Sequence, residues 1–113
     1  MFRDFELLTD DGVTKKISDY VGKSKYLFID FWASWCGPCQ MFGPIFVAAS
    51  EKIPDAGFIK FEIDESNRRI PAQYGIRSIP SVLAFKDGTL IEARAGVMDI
   101  DTIADWVAEL KKA

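Results

Sequence analysis

Seven consecutive residues, Tyr26-Leu27-Phe28-Ile29-Asp30-Phe31-Trp32, leave this chain few ways to fold. The run is β-rich and apolar at both odd and even positions, the pattern of a strand buried on both faces in the middle of a parallel sheet. Directly after it the pattern turns helical, from about Cys36 to Ile53. The junction reads Trp35-Cys36-Gly37-Pro38-Cys39, so both cysteines fall where a strand hands over to the first turn of a helix. Free backbone N–H groups and the positive end of the helix dipole favour a thiolate at such a place. With two residues between them, the sulfurs can lie on one side of the turn and close a small ring. Cys36, nearest the loop, reads as the exposed attacking thiol, and Cys39, one turn deeper, as the resolving one. Pro38 has a fixed φ and no N–H, which suits the first turn of a helix.

Redox chemistry is the reading that suits this pair best. A structural disulfide closing so short a loop constrains little of the unfolded chain. A structural zinc site wants four Cys or His ligands, and the sequence holds two cysteines and no histidine. A site shared between subunits, with one pair from each, stays open as an alternative. No glycine-rich dinucleotide fingerprint is present, so no cofactor is expected. The 113 residues suffice for one domain, 1–113, and are too few for two. Apolar residues make up 49% and there are nine phenylalanines, which argues against disorder. A net charge of −3 gives no reason to expect nucleic acid or an acidic membrane as partner. No apolar run is long enough to cross a bilayer. Met1-Phe2-Arg3-Asp4 leads directly into the domain, so a cytoplasmic location is expected, or a periplasmic or exported one if a signal has been removed. A monomer is expected.

Along the chain, Phe5-Glu6-Leu7-Leu8 reads as a short strand and Asp10-Asp11-Gly12 as a turn. Val13, Lys15 and Ile17 then alternate with Thr14 and Lys16, so a hairpin is expected, followed by a short turn of helix from Ser18. The competing reading is a helix over Val13 to Val21. Pro44 should kink the long helix by removing the bond to the Gln40 carbonyl, and Pro54 should end it. A strand follows over Phe58 to Ile63, then a third helix over Glu65 to Tyr74 limited by Pro71, with Gly75 as its C-terminal cap. Ser81 to Phe85 and Leu90 to Ala93 form a second hairpin about Asp87-Gly88. Asp99 can cap a last helix whose apolar face is Ile100, Ile103, Val107 and Leu110. Asp30 stands apart, an acid among Phe, Ile and Trp. A buried, unpaired carboxylate is costly and its pKa rises, unless the side chain reaches solvent at the strand end.

Phe31-Trp32-Ala33-Ser34-Trp35-Cys36-Gly37-Pro38-Cys39 closely resembles the active-site segment of thioredoxins. The likeness continues through Pro44, Lys60, Asp64, Tyr74-Gly75-Ile76-Arg77-Ser78-Ile79-Pro80, Phe85-Lys86-Asp87-Gly88 and Gly96, and covers nearly everything from Tyr26 onward. The resemblance implies the thioredoxin fold: α/β, with a central mixed sheet flanked by helices on both faces. It implies thiol–disulfide exchange on disulfide-containing proteins, with a lowered thiol pKa and a reducing potential. Asp30 would be the proton acceptor for Cys39 and Lys60 the cation that moderates its pKa, although a snorkelling lysine at a sheet margin also fits. Pro80 would be cis and face the cysteines, and Ile79 would offer backbone groups to an extended substrate. Trp35, Gly37, Pro38, Ile63, Gly75, Gly96 and Val97 would line an apolar patch near Cys36. Re-reduction would come from a flavin-dependent, NADPH-linked reductase, or from a membrane electron carrier if the protein is exported. Two departures stand out. Gln40 follows the second cysteine where many thioredoxins carry a basic residue. Phe5-x-Leu7, Asp11-Gly12 and Ile17-Ser18-Asp19-Tyr20-Val21-Gly22-Lys23 look like the opening of thioredoxin-like reductases that are often exported or membrane-tethered. The rival functions are an oxidase or isomerase of exported proteins and a non-enzymatic binding subunit of a larger complex.

Overall fold

Strand β3 (Tyr26–Trp32) is the axis of the sheet, buried at every position except Trp32, which is half-buried. The computed structural model describes residues 6–8, 14–16 and 25–112. β3 pairs in parallel with β4 (Gly57–Glu62), in a register that sets Asp30 opposite Lys60. On its other side it pairs antiparallel with β5 (Ser81–Lys86), which sets Asp30 opposite Val82. β6 (Thr89–Ala95) completes the order β4-β3-β5-β6. The sheet is therefore parallel on one side of β3 only. A helix joins β3 to β4, as a parallel crossover requires, whereas β5 and β6 are joined by the two-residue turn Asp87-Gly88. Both turn residues have positive φ, 50° and 81°, the conformation that matches a tight turn to the twist of its strands.

Alternation along β3 sorts its side chains between two cores. Tyr26 and Phe28 join Val82 and Ala84 against helix α1 (Gly37–Lys52) and helix α3 (Ile100–Lys112), meeting Phe42, Phe46, Ile103 and Trp106. Phe28 lies between the rings of Phe58, at 5.2 Å, and Trp106, at 5.4 Å. Leu27, Ile29 and Phe31 face the other way, with Ile59, Phe61, Leu83, Phe85 and Ile70 of helix α2 (Arg69–Gln73). Helices thus cover both faces. Asp30 shares its parity with Phe28, so its side chain enters the layer beneath α1.

The expected helix over Glu65 to Tyr74 is shorter, because side chains take over its first turn. Asp64 accepts from the Ser66 N–H at 2.8 Å, and Asn67 accepts from the Asp64 N–H at 2.8 Å. Such local bonds compete with the helical ladder, so regular helix begins only at Arg69. At the last helix the Asp99 carboxylate accepts from the Thr102 N–H at 2.7 Å, the cap expected there. Ile103, Val107 and Leu110 are buried as the spacing requires, Ile100 is half-buried, and Trp106 adds the largest side chain of that face. β1 (Glu6–Leu8) and β2 (Thr14–Lys16) pair antiparallel, Glu6 opposite Lys16, so the hairpin holds against a helix at Thr14–Lys16. The turn at Asp10-Asp11-Gly12 and the helical turn from Ser18 lie outside the described residues.

Candidate active site

The end of β3 runs through Ala33, Ser34 and Trp35 into α1, and the turn is closed by the Cys36 N–H on the Ala33 carbonyl at 3.1 Å. Cys36 is the N-cap of α1: it is extended, and its sulfur accepts from the Cys39 N–H at 3.2 Å. That bond answers one of the donors that a helix start leaves unpaired, and it puts hydrogen-bond density on the first sulfur. Pro38 occupies the first turn, where its missing N–H costs nothing. Cys36 and Cys39 are joined as a disulfide, with Cα atoms 5.2 Å apart.

Their exposure corrects one expectation. Cys39 is 1% exposed, as a deep resolving thiol should be, but Cys36 is only 7% exposed. Its sulfur is turned inward to its partner, and Trp32, Ala33 and Ile79 pack against the pair. The Cys36 sulfur also lies 3.8 Å from the Ile79 carbonyl oxygen. A disulfide sulfur carries no proton, so this contact becomes a hydrogen bond only in the reduced, protonated thiol. The Ile79-Pro80 peptide is cis, and the Pro80 carbonyl accepts from the Gly96 N–H at 2.8 Å, which brings Gly96 to the same loop.

In the layer beneath α1, Asp30 is fully buried and neither carboxylate oxygen has a hydrogen-bond partner. Burial raises its pKa from 3.8 to about 7, against the lowering pull of the Lys60 charge. Lys60 stands opposite Asp30 in register, yet no direct ion pair joins them. Its ammonium sits 4.6 Å over the Trp32 ring and against Gly43 of α1, where an added Cβ would meet it at 3.0 Å. Lys60 therefore acts on Asp30 through space and not as a contact partner. Trp32 and Gly43 are the residues the sequence reading missed here. The parity of Trp32 with Asp30 was the available signal, and nothing in the sequence marks Gly43.

The expected rim is placed unevenly. Trp35, at 73% exposed, and Val97, at 43%, are free apolar surface, and Gly37 and Pro38 are exposed on the first helical turn. Ile63 packs instead with the cluster of Ile29 and Phe31, and it reaches the site through its N–H on the Trp32 carbonyl at 2.7 Å. Gly75, with φ 72°, lines a cleft of about 250 Å³ together with Tyr74, Arg77, Ser78, Ser81, Ala93 and Ala95. The constellation as a whole is a dithiol couple at a helix mouth, with a buried acid behind it and apolar surface in front.

A family model described as thioredoxin matches residues 6–109. A thioredoxin from Rickettsia felis is 40% identical over 101 residues, 88% of this chain and 92% of that one. One from Chlorobaculum thiosulfatiphilum is 38% identical over 102 residues, 89% of this chain and 91% of that one. Among solved structures, a mutant thioredoxin from Halobacterium salinarum superposes with TM-score 0.77 at 30% identity, covering 91% of this chain and 86% of that one. The Malassezia sympodialis thioredoxin gives TM-score 0.70 at 33% identity, covering 91% and 88%.

Proposed function

This chain belongs to the thioredoxin family of disulfide oxidoreductases, and from that premise we propose that it works in the reducing direction on protein disulfides. The observation that carries the proposal is the Cys36–Cys39 couple at the N-terminus of α1, over a buried acid that titrates near neutrality. In the reduced protein the Cys36 thiolate attacks one sulfur of a target disulfide. An S–S bond forms between Cys36 and the target, the target's own S–S bond breaks, and its second sulfur leaves as a thiolate that takes a proton. Cys39 then loses its proton and attacks Cys36, which releases the reduced target and closes the Cys36–Cys39 ring. At 1% exposure Cys39 has little access to solvent for its proton, and Asp30, in the layer beneath the same helix, is the group proposed to take it.

The substrate is proposed to lie extended across Ile79, with Trp35, Gly37, Pro38, Gly96 and Val97 as its apolar rim. Cycling needs an outside donor: a flavin-dependent, NADPH-linked reductase if the protein works in the cytoplasm, a membrane electron carrier if it works outside. Oxidants and isomerases of this fold usually hold a histidine between the cysteines, and Gly37-Pro38 does not, which supports reduction.

The test is reduction of insulin disulfides by the reduced protein. Cys36→Ser is expected to abolish it, and Cys39→Ser to accumulate a mixed disulfide with the substrate. A Cys36→Ser variant that reduces insulin at the parent rate would defeat the proposal. A redox titration against glutathione separates reductase from oxidase.

A further inference from the structure

We propose that Gln40 is a positioning residue for ring closure, its side-chain amide tying the loop that carries Cys36 to the helix that carries Cys39. The proposal rests on the thiol–disulfide reading above and adds to it a residue outside the cysteine pair. Gln40 Nε2 donates to the Ser34 carbonyl oxygen at 2.6 Å. The bond reaches back six residues and encloses both cysteines. Neighbouring groups are already committed: the Ala33 carbonyl takes the Cys36 N–H at 3.1 Å, and the Gln40 N–H goes to the Cys36 carbonyl at 3.2 Å. Ser34 and Trp35 are both exposed, so little packing fixes this stretch. The amide is what fastens it to the first turns of α1.

Closing the ring requires the Cys39 sulfur to meet the Cys36 sulfur, and its equilibrium scales with the effective concentration of one thiol at the other. Against glutathione the balance is simple. The protein dithiol gives two electrons and two protons to glutathione disulfide, its own S–S bond forms, and two glutathione thiols are released. A tether that holds loop and helix together raises that effective concentration. An amide does so without charge, so it leaves the thiolate to the helix N-terminus. A lysine at the same place would hold the loop and also stabilise the thiolate.

The test equilibrates the full chain with glutathione buffers, traps the thiols by alkylation and counts dithiol, mixed disulfide and ring. Gln40→Ala is expected to lower the ring-closure constant about five-fold, the weight of one hydrogen bond, and to lengthen the life of the glutathione mixed disulfide. Gln40→Lys, which can donate to the same carbonyl, is expected to keep ring closure within about two-fold of the parent while moving the pH midpoint of Cys36 alkylation down. Unchanged ring closure and mixed-disulfide lifetime in Gln40→Ala would overturn the proposal, whatever happened to thermal stability. So would a loss in Gln40→Lys as large as in Gln40→Ala. A parent protein that does not exchange with glutathione at all overturns the thiol-exchange reading itself, and this proposal with it.

Discussion

Asp30 carries the sharpest consequences at the scale of a single residue. Its folded-state pKa of about 7 stands above the ordinary 3.8 because burial penalises the charged form more than Lys60 relieves it. The neutral acid is the form the fold tolerates. The stabilising contribution is therefore full below about pH 4, shrinks as the pH rises, and is gone above about pH 7. A shift of that size corresponds to roughly 4 kcal/mol between the two ends of the window. Replacing Asp30 by Asn removes the titration, so denaturant unfolding of Asp30→Asn and parent should diverge in the variant's favour from about pH 4 to about pH 7 and run parallel above it. A constant difference across that range would show that Asp30 does not titrate there. Lys60→Met removes an attraction that holds the pKa down, and a carboxyl carbon NMR titration is expected to find Asp30 higher still. Of this arrangement the sequence displayed the odd acid and its lysine. It did not display that Lys60 rests on Trp32 against Gly43, because that contact joins three elements.

Elements were legible where periodicity or capping chemistry is strong. The hairpin about Asp87-Gly88 and the cap at Asp99 follow from side-chain chemistry confined to a few neighbouring residues. The Asp99 carboxylate is held below the ordinary carboxylate range by its bonds to Thr102. Asp99→Ala should lower the melting temperature at neutral pH. That loss should fade as the pH falls through the folded-state pKa, since a depressed acid stabilises only while ionised. A loss independent of pH would mean that the cap does not act as an ionised acceptor. The helix about Ile70 was misjudged for the converse reason. The side chains of Asp64 and Asn67 claim backbone groups that a propensity reading assigns to the helix.

On the scale of the whole molecule, the sheet divides two apolar layers, and Phe28 is a fully buried ring that joins β4 to α3 in one of them. Phe28→Ala is expected to cost about 3–5 kcal/mol in equilibrium unfolding. If residues 1–113 form one domain, tryptophan emission and far-ultraviolet circular dichroism should be lost together in parent and variant alike. Two separated transitions would show that the layers melt independently.

The sequence by itself determined the central strand, the strand-to-helix handover, the cysteine pair on its first turn and the family likeness. The first three are written in residues that are neighbours along the chain, and the likeness in short motifs spread from Phe31 to Gly96. Only the tertiary structure decided that Cys36 is turned inward, that Lys60 works on Asp30 without touching it, and that Ile63 belongs to the far layer. Those outcomes depend on strand register and on which face each side chain enters, and both are set by packing between segments tens of residues apart.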